Sequence, residues 1–84
     1  MGDTGEIKQA VRSYILDEFL PGEDPQQLTD STPLITGGIL DSLATLKLVS
    51  FLEERFHVEL QAHEMDTDNL NSLTSIADLV GSKL

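Results

Sequence analysis

The apolar residues of this 84-residue chain recur at helical spacing almost throughout, and no segment holds a convincing period of two. Ile7, Ala10, Val11, Tyr14, Ile15 and Phe19 fall at i, i+3, i+4, i+7, i+8 and i+12, one face of an amphipathic helix. Asp3, with Glu6 three residues later, reads as a capping box at its start. Pro21-Gly22 ends it. A second helix is expected from about Ser42 to Phe56. At about 100° per residue, its Leu46, Leu48, Val49, Phe51, Leu52 and Phe56 spread over an arc of roughly 220°, as for a helix wedged between neighbours. A last helix starts near Asn71 or Ser72, buries Leu73, Ile76, Ala77, Leu79 and Val80, and ends close to Gly81. A short helix is predicted around Ala62 to Asp66. Phe56-His57-Val58-Glu59-Leu60 alternates, but it lies between helices. The expected fold class is all-α: a small bundle of three main helices plus one short helix.

Residues 21 to 40 carry three prolines and the Gly37-Gly38 pair, which exclude a regular helix. Leu28, Leu34, Ile35, Ile39 and Leu40 are nonetheless apolar. A structureless connection of that length is uncommon inside a small domain. The segment is therefore expected to be a long ordered loop packed as a strap across the helix ends. No linker or repeat divides the chain, so residues 1–84 read as a single domain.

Composition narrows the function. The 15 acids and 5 bases give a net charge of −10. Non-specific nucleic-acid binding needs a cationic face to displace counterions from phosphates, and attraction to an anionic membrane needs the same. Neither partner is expected. There is no cysteine, hence no disulfide, thiolate nucleophile or Cys-ligated zinc. The first residues lack the basic start and apolar run of a secretory signal, and no stretch is long enough to span a bilayer. The expectation is a cytoplasmic monomer whose core is built mainly from Leu, Ile and Val.

Gly37-Gly38-Ile39-Leu40-Asp41-Ser42-Leu43 is the informative stretch. Two glycines make a turn and Asp41 suits an N-cap. Ser42 then opens the helix expected to be the most buried, its hydroxyl off the tip, where a phosphate would lie near free amides and the positive end of the helix dipole. Leu43 falls in the polar stripe with Lys47, Ser50 and Glu54. An apolar side chain there, beside an exposed serine, suits a docking spot.

These residues resemble an acyl or peptidyl carrier protein, a four-helix module that carries 4′-phosphopantetheine on the serine of Asp-Ser-Leu. The resemblance extends to Pro33-Leu34, to Leu46-x-Leu48-Val49-x-x-Leu52-Glu53-Glu54-x-Phe56, to Val58-x-Leu60 and to the closing run from Asn69 to Val80. It implies Ser42 as the attachment site, and Asp41 and Leu43 as recognition residues for the modifying phosphopantetheinyl transferase. It also implies that acids such as Glu53 and Glu54 meet basic patches on partner enzymes. A loading ligase or acyltransferase and downstream biosynthetic enzymes complete the implied partners. Bacterial fatty-acid carriers typically place acids two and five residues after the serine, where this chain has Ala44 and Lys47. The approach from Gly38 to Asp41 is one residue longer than in that group. That longer entry is similar to free-standing carriers charged by a dedicated adenylating ligase, such as D-alanyl or pyrrolyl carriers. The expected function is a stand-alone carrier holding an acyl or aminoacyl cargo as a thioester. Alternatives are a housekeeping fatty-acid carrier, or a small acidic helical adaptor with no prosthetic group.

Enzyme readings fail on their motifs. Leu40-Asp41-Ser42-Leu43-Ala44 lacks both glycines of the hydrolase elbow. No Gly-rich nucleotide loop is present. His57 and His63, six apart, do not share a helical face. Asp66-x-Asp68 begins like a calcium loop but continues with Leu70 and Asn71 where ligand and glycine belong, so it reads as an acidic loop and no metal site is expected.

Overall fold

A computed structural model describes residues 4–22, 24, 26 and 28–84. Among the described residues four α-helices follow in order: α1 (Thr4–Phe19), α2 (Ser42–Phe56), α3 (Thr67–Leu70) and α4 (Leu73–Gly81). A 3₁₀ turn, Ala62–Glu64, precedes α3. Among the described residues there is no strand, as the apolar spacing predicts. The capping box assigned to Asp3 lies outside the described residues.

The core forms where the helical stripes meet. Ile7, Val11 and Ile15 give α1 one buried residue per turn, and Ile76, Ala77 and Val80 of α4 face them. Thr4 and Ile7 side chains approach Gly81 closely, so the start of α1 rests on the end of α4. Leu28, Leu34 and Leu40 place three anchors of the strap in the same core.

Backbone bonds hold that strap in place. The Leu34 amide donates to the Asn71 carbonyl at 2.7 Å, and the Leu40 amide returns to the Leu34 carbonyl at 2.8 Å. The Asn71 side-chain oxygen accepts from the amides of Ile35 (2.8 Å) and Thr36 (3.0 Å). Gly38 sits at φ +84°, where glycine alone avoids a steric penalty, and a Cβ on Gly37 would run into the Pro33 carbonyl oxygen. Both glycines are thus fixed by geometry.

Two expectations need correction. Leu46 does not belong to the buried arc of α2: it is 60% exposed, whereas Ala44, Leu48, Val49 and Leu52 are buried and Phe51 and Phe56 are half-buried. The apolar arc is wider than the surface that neighbours cover, and Leu46 is left over an open groove. Nor is Asp66-x-Asp68 a loop. The Asp66 carboxylate accepts from the Asn69 amide at 3.0 Å and caps α3, so the single short helix expected at 62–66 is a 3₁₀ turn followed by one α-turn.

Glu64 is removed from the acidic surface by an ion pair with Lys83, 2.7 Å long, which ties the 3₁₀ turn to the end of α4. The hydrogen bond from Lys83, then that from the Gln61 amide, holds the Glu64 carboxyl below its ordinary range. A depressed carboxyl stabilises the fold above its unfolded-state pKa, and the contribution disappears as pH falls through the folded value. Glu64→Gln is therefore expected to melt below wild type at neutral pH and to converge with it in acid, as read by circular dichroism melts at both.

Candidate functional site

Ser42 is the first residue of α2, and its exposed hydroxyl makes no hydrogen bond among the described residues. Asp41 sets this up. Its backbone is extended (φ −87°, ψ −174°), and its carboxylate accepts from the Ala44 amide at 2.7 Å. Its carbonyl takes both the Thr45 amide (2.9 Å) and the Thr45 hydroxyl (2.8 Å). The cap occupies the third amide of the helix and leaves those of Ser42 and Leu43 without an intrahelical acceptor. The tip therefore offers two unspent donors beside the Ser42 oxygen, at the positive end of a 15-residue helix, a setting that suits an anion.

A groove of about 670 Å³ opens on the α3 side of Ser42. Ile35 and Leu40 of the strap, Leu46 and Val49 of α2, and Met65 beyond the 3₁₀ turn supply its apolar wall, with Thr45, Asp66 and Thr67 at its edge. On the α1 side lies a smaller notch of about 180 Å³, formed by Phe19, Asp41, Leu43, Ala44 and Lys47.

The residues singled out by sequence separate into two groups. Asp41, Ser42, Leu43 and Lys47 come together at the tip and first two turns of α2, all exposed; Leu43 reaches 63%. Glu54 is exposed two turns further on. Glu53 faces elsewhere: it is half-buried, and its carboxylate accepts the Leu60 amide at 3.0 Å, fixing the connection that leaves α2. The adjacent pair Glu53-Glu54 is thus one structural acid and one surface acid. Leu46 and Met65 were not among the expected site residues, yet they are exposed apolar side chains flanking the groove beside Ser42. The spacing of Leu46, one turn after Ser42, was the available signal.

His57 and His63 are exposed, and neither lines the groove or the notch. His57 closes α2 in the left-handed conformation (φ 56°, ψ 45°). Among the described residues, no three carboxylates or histidines converge as a metal site, and no helix is long and apolar enough to cross a membrane.

Known proteins match this sequence. A family profile described as "Phosphopantetheine attachment site" covers residues 15–80, from the C-terminal end of α1 to the last turn of α4. The chain is 32% identical over 73 residues to the D-alanyl carrier protein of Streptococcus sanguinis (strain SK36), covering 87% of this chain and 89% of that protein. It is 28% identical over 71 residues to the D-alanyl carrier protein of Streptococcus suis (strain 98HAH33), covering 84% and 86%. A profile spanning most of the chain, and relatives matched over most of their own length, show that this protein belongs to the phosphopantetheine-attachment family of carrier proteins, which hold 4′-phosphopantetheine covalently.

Proposed function

We propose that Ser42 carries the 4′-phosphopantetheine and that the protein, cytoplasmic and without catalysis of its own, is the carrier of a small aminoacyl group, D-alanine or a close relative, loaded by a dedicated adenylating ligase. The observation that carries the reading is the position of Ser42: exposed, first in α2, next to two free amides and at the mouth of the groove. In the attachment step the Ser42 oxygen displaces 3′,5′-ADP from coenzyme A, forming a phosphodiester, and the hydroxyl proton passes to solvent. Asp41 keeps the helix tip open for that reaction by capping at Ala44 rather than at the first amides. The bound group supplies a terminal thiol that holds cargo as a thioester, a function this cysteine-free chain cannot provide itself. The tether lets one cargo visit successive active sites at high effective concentration.

Support for the aminoacyl reading comes from the D-alanyl carrier relatives and from Ala44 and Lys47 in place of two acids. Ala44 is buried, so its position is given to packing rather than to a charge for partners. A fatty-acid role is the second reading, since the apolar groove beside Ser42 offers shelter for an alkyl chain. Family membership removes the ground for an adaptor without a prosthetic group.

The test is intact-mass analysis in two steps. Incubation with coenzyme A and a phosphopantetheinyl transferase is expected to add one phosphopantetheine, located by peptide mapping on Ser42. ATP, D-alanine and a D-alanine-adenylating ligase are then expected to add one alanyl group, removable by hydroxylamine. A label on Ser31, Ser50 or Ser72 overturns the site. Elongation by fatty-acid synthase enzymes, with no alanyl transfer, overturns the cargo.

A further inference from the structure

We propose that the notch between α1 and α2 is a docking site for a carboxylate-bearing side chain of the loading ligase, its stem against Phe19 and Leu43 and its charge on the Lys47 ammonium. This deepens the aminoacyl-carrier reading and rests on it. In a chain with 15 acids and 5 bases, a lysine would be expected to find a carboxylate of its own. Lys8 pairs with Asp30 at 3.3 Å and Lys83 with Glu64 at 2.7 Å, while Arg55 lies over the Phe56 ring. Lys47 is exposed and, among the described residues, makes no ion pair. Two acids on this side of the molecule do not pair with it. Asp41, in the same notch, is bonded to the Ala44 amide and lies six residues away, about 9 Å along the helix. Glu18, whose charge adds to burial in raising the Tyr14 pKa, forms no bridge to Lys47 among the described residues either.

The notch is also held rigid. The Tyr14 hydroxyl donates to the Lys47 carbonyl at 3.2 Å. The Tyr14 ring stacks on Phe51 at 4.2 Å between centroids and meets Phe19 edge-on at 5.7 Å. These contacts clamp the turn of α2 that bears Lys47 to the turn of α1 that bears Phe19. A docking side chain therefore pays little ordering cost on this side of the contact. An acidic partner group is the charge that fits: a basic one would face Lys47 directly.

The experiment measures loading of the phosphopantetheinylated protein by a D-alanine-adenylating ligase, in wild type, Lys47→Arg, Lys47→Ala and Lys47→Glu, across a salt series. Every one of these variants keeps the backbone carbonyl that Tyr14 needs. Lys47→Arg should behave as wild type. Lys47→Ala should raise KM about two- to fivefold, and Lys47→Glu about five- to twentyfold, with kcat unchanged. Salt should weaken loading of wild type more steeply than of Lys47→Ala. Lys8→Glu makes the same change in net charge near the other end of α1 and should raise KM less than Lys47→Glu. Unchanged KM and salt dependence in Lys47→Ala and Lys47→Glu, tighter binding by Lys47→Glu, or an equal response of Lys8→Glu overturns the inference alone. A wild-type protein that accepts phosphopantetheine but is never loaded overturns the aminoacyl reading and this inference with it.

Discussion

Ser42→Ala is expected to accept no phosphopantetheine and no cargo, while unfolding at the wild-type temperature within a degree or two. The loss is complete because the chain has no cysteine and no other serine at a long helix tip beside the groove. Ser72, the other serine at a helix start, is spent on capping: its hydroxyl accepts the Ser75 amide at 3.1 Å and donates to the Ser75 hydroxyl at 3.0 Å. Ser42, by contrast, is exposed and caps nothing, so its removal costs the fold almost nothing. Surface changes of this kind usually stay within about 0.5 kcal/mol. Intact mass and a thermal melt on one sample check both halves. Residual modification of the variant would falsify the assignment.

The largest effect on stability is expected at the strap. Leu34 is fully buried, and its backbone is bonded on both sides, to Asn71 and to Leu40. Leu34→Ala removes a core side chain that the neighbouring loop cannot collapse to replace, a change that costs about 2–5 kcal/mol. At about 0.05–0.15 kcal/mol per residue, a domain of this length has only about 4–13 kcal/mol in total. A fall of about 10 °C or more in Tm follows from the size scaling for small domains. Because Ile35 and Leu40, on either side of the Gly37-Gly38 turn, line the groove, the variant should also be modified more slowly. Urea and thermal melts measure the first effect. A loss below about 1 kcal/mol would mean that the strap lies outside the cooperative core.

The sequence by itself determined the three main helices, the strap and the place of Ser42. Helical spacing is a local property, and the punctuation around it was strong: Pro21-Gly22 closes α1, Asp41 caps α2 and Ser72 caps α4. Asp41-Ser42-Leu43 could be read locally only as a helix tip presenting a hydroxyl; its reading as an attachment site came from the family resemblance along most of the chain. What neighbours do to a side chain was not local, and there the tertiary structure decided. Leu46 and Leu48 are the same residue type two positions apart; one is 60% exposed and the other fully buried, because the covering elements reach only one of them. Glu53 and Glu54 are likewise identical in sequence terms, yet only Glu53 meets a backbone amide, that of Leu60, seven residues on. Asn71 reads as the start of a helix but serves as the brace for Ile35 and Thr36, some 35 residues earlier in the chain. The groove and the notch exist for the same reason. Each is walled by segments distant in sequence, and their placement depends on how α1, α3 and the strap pack around α2.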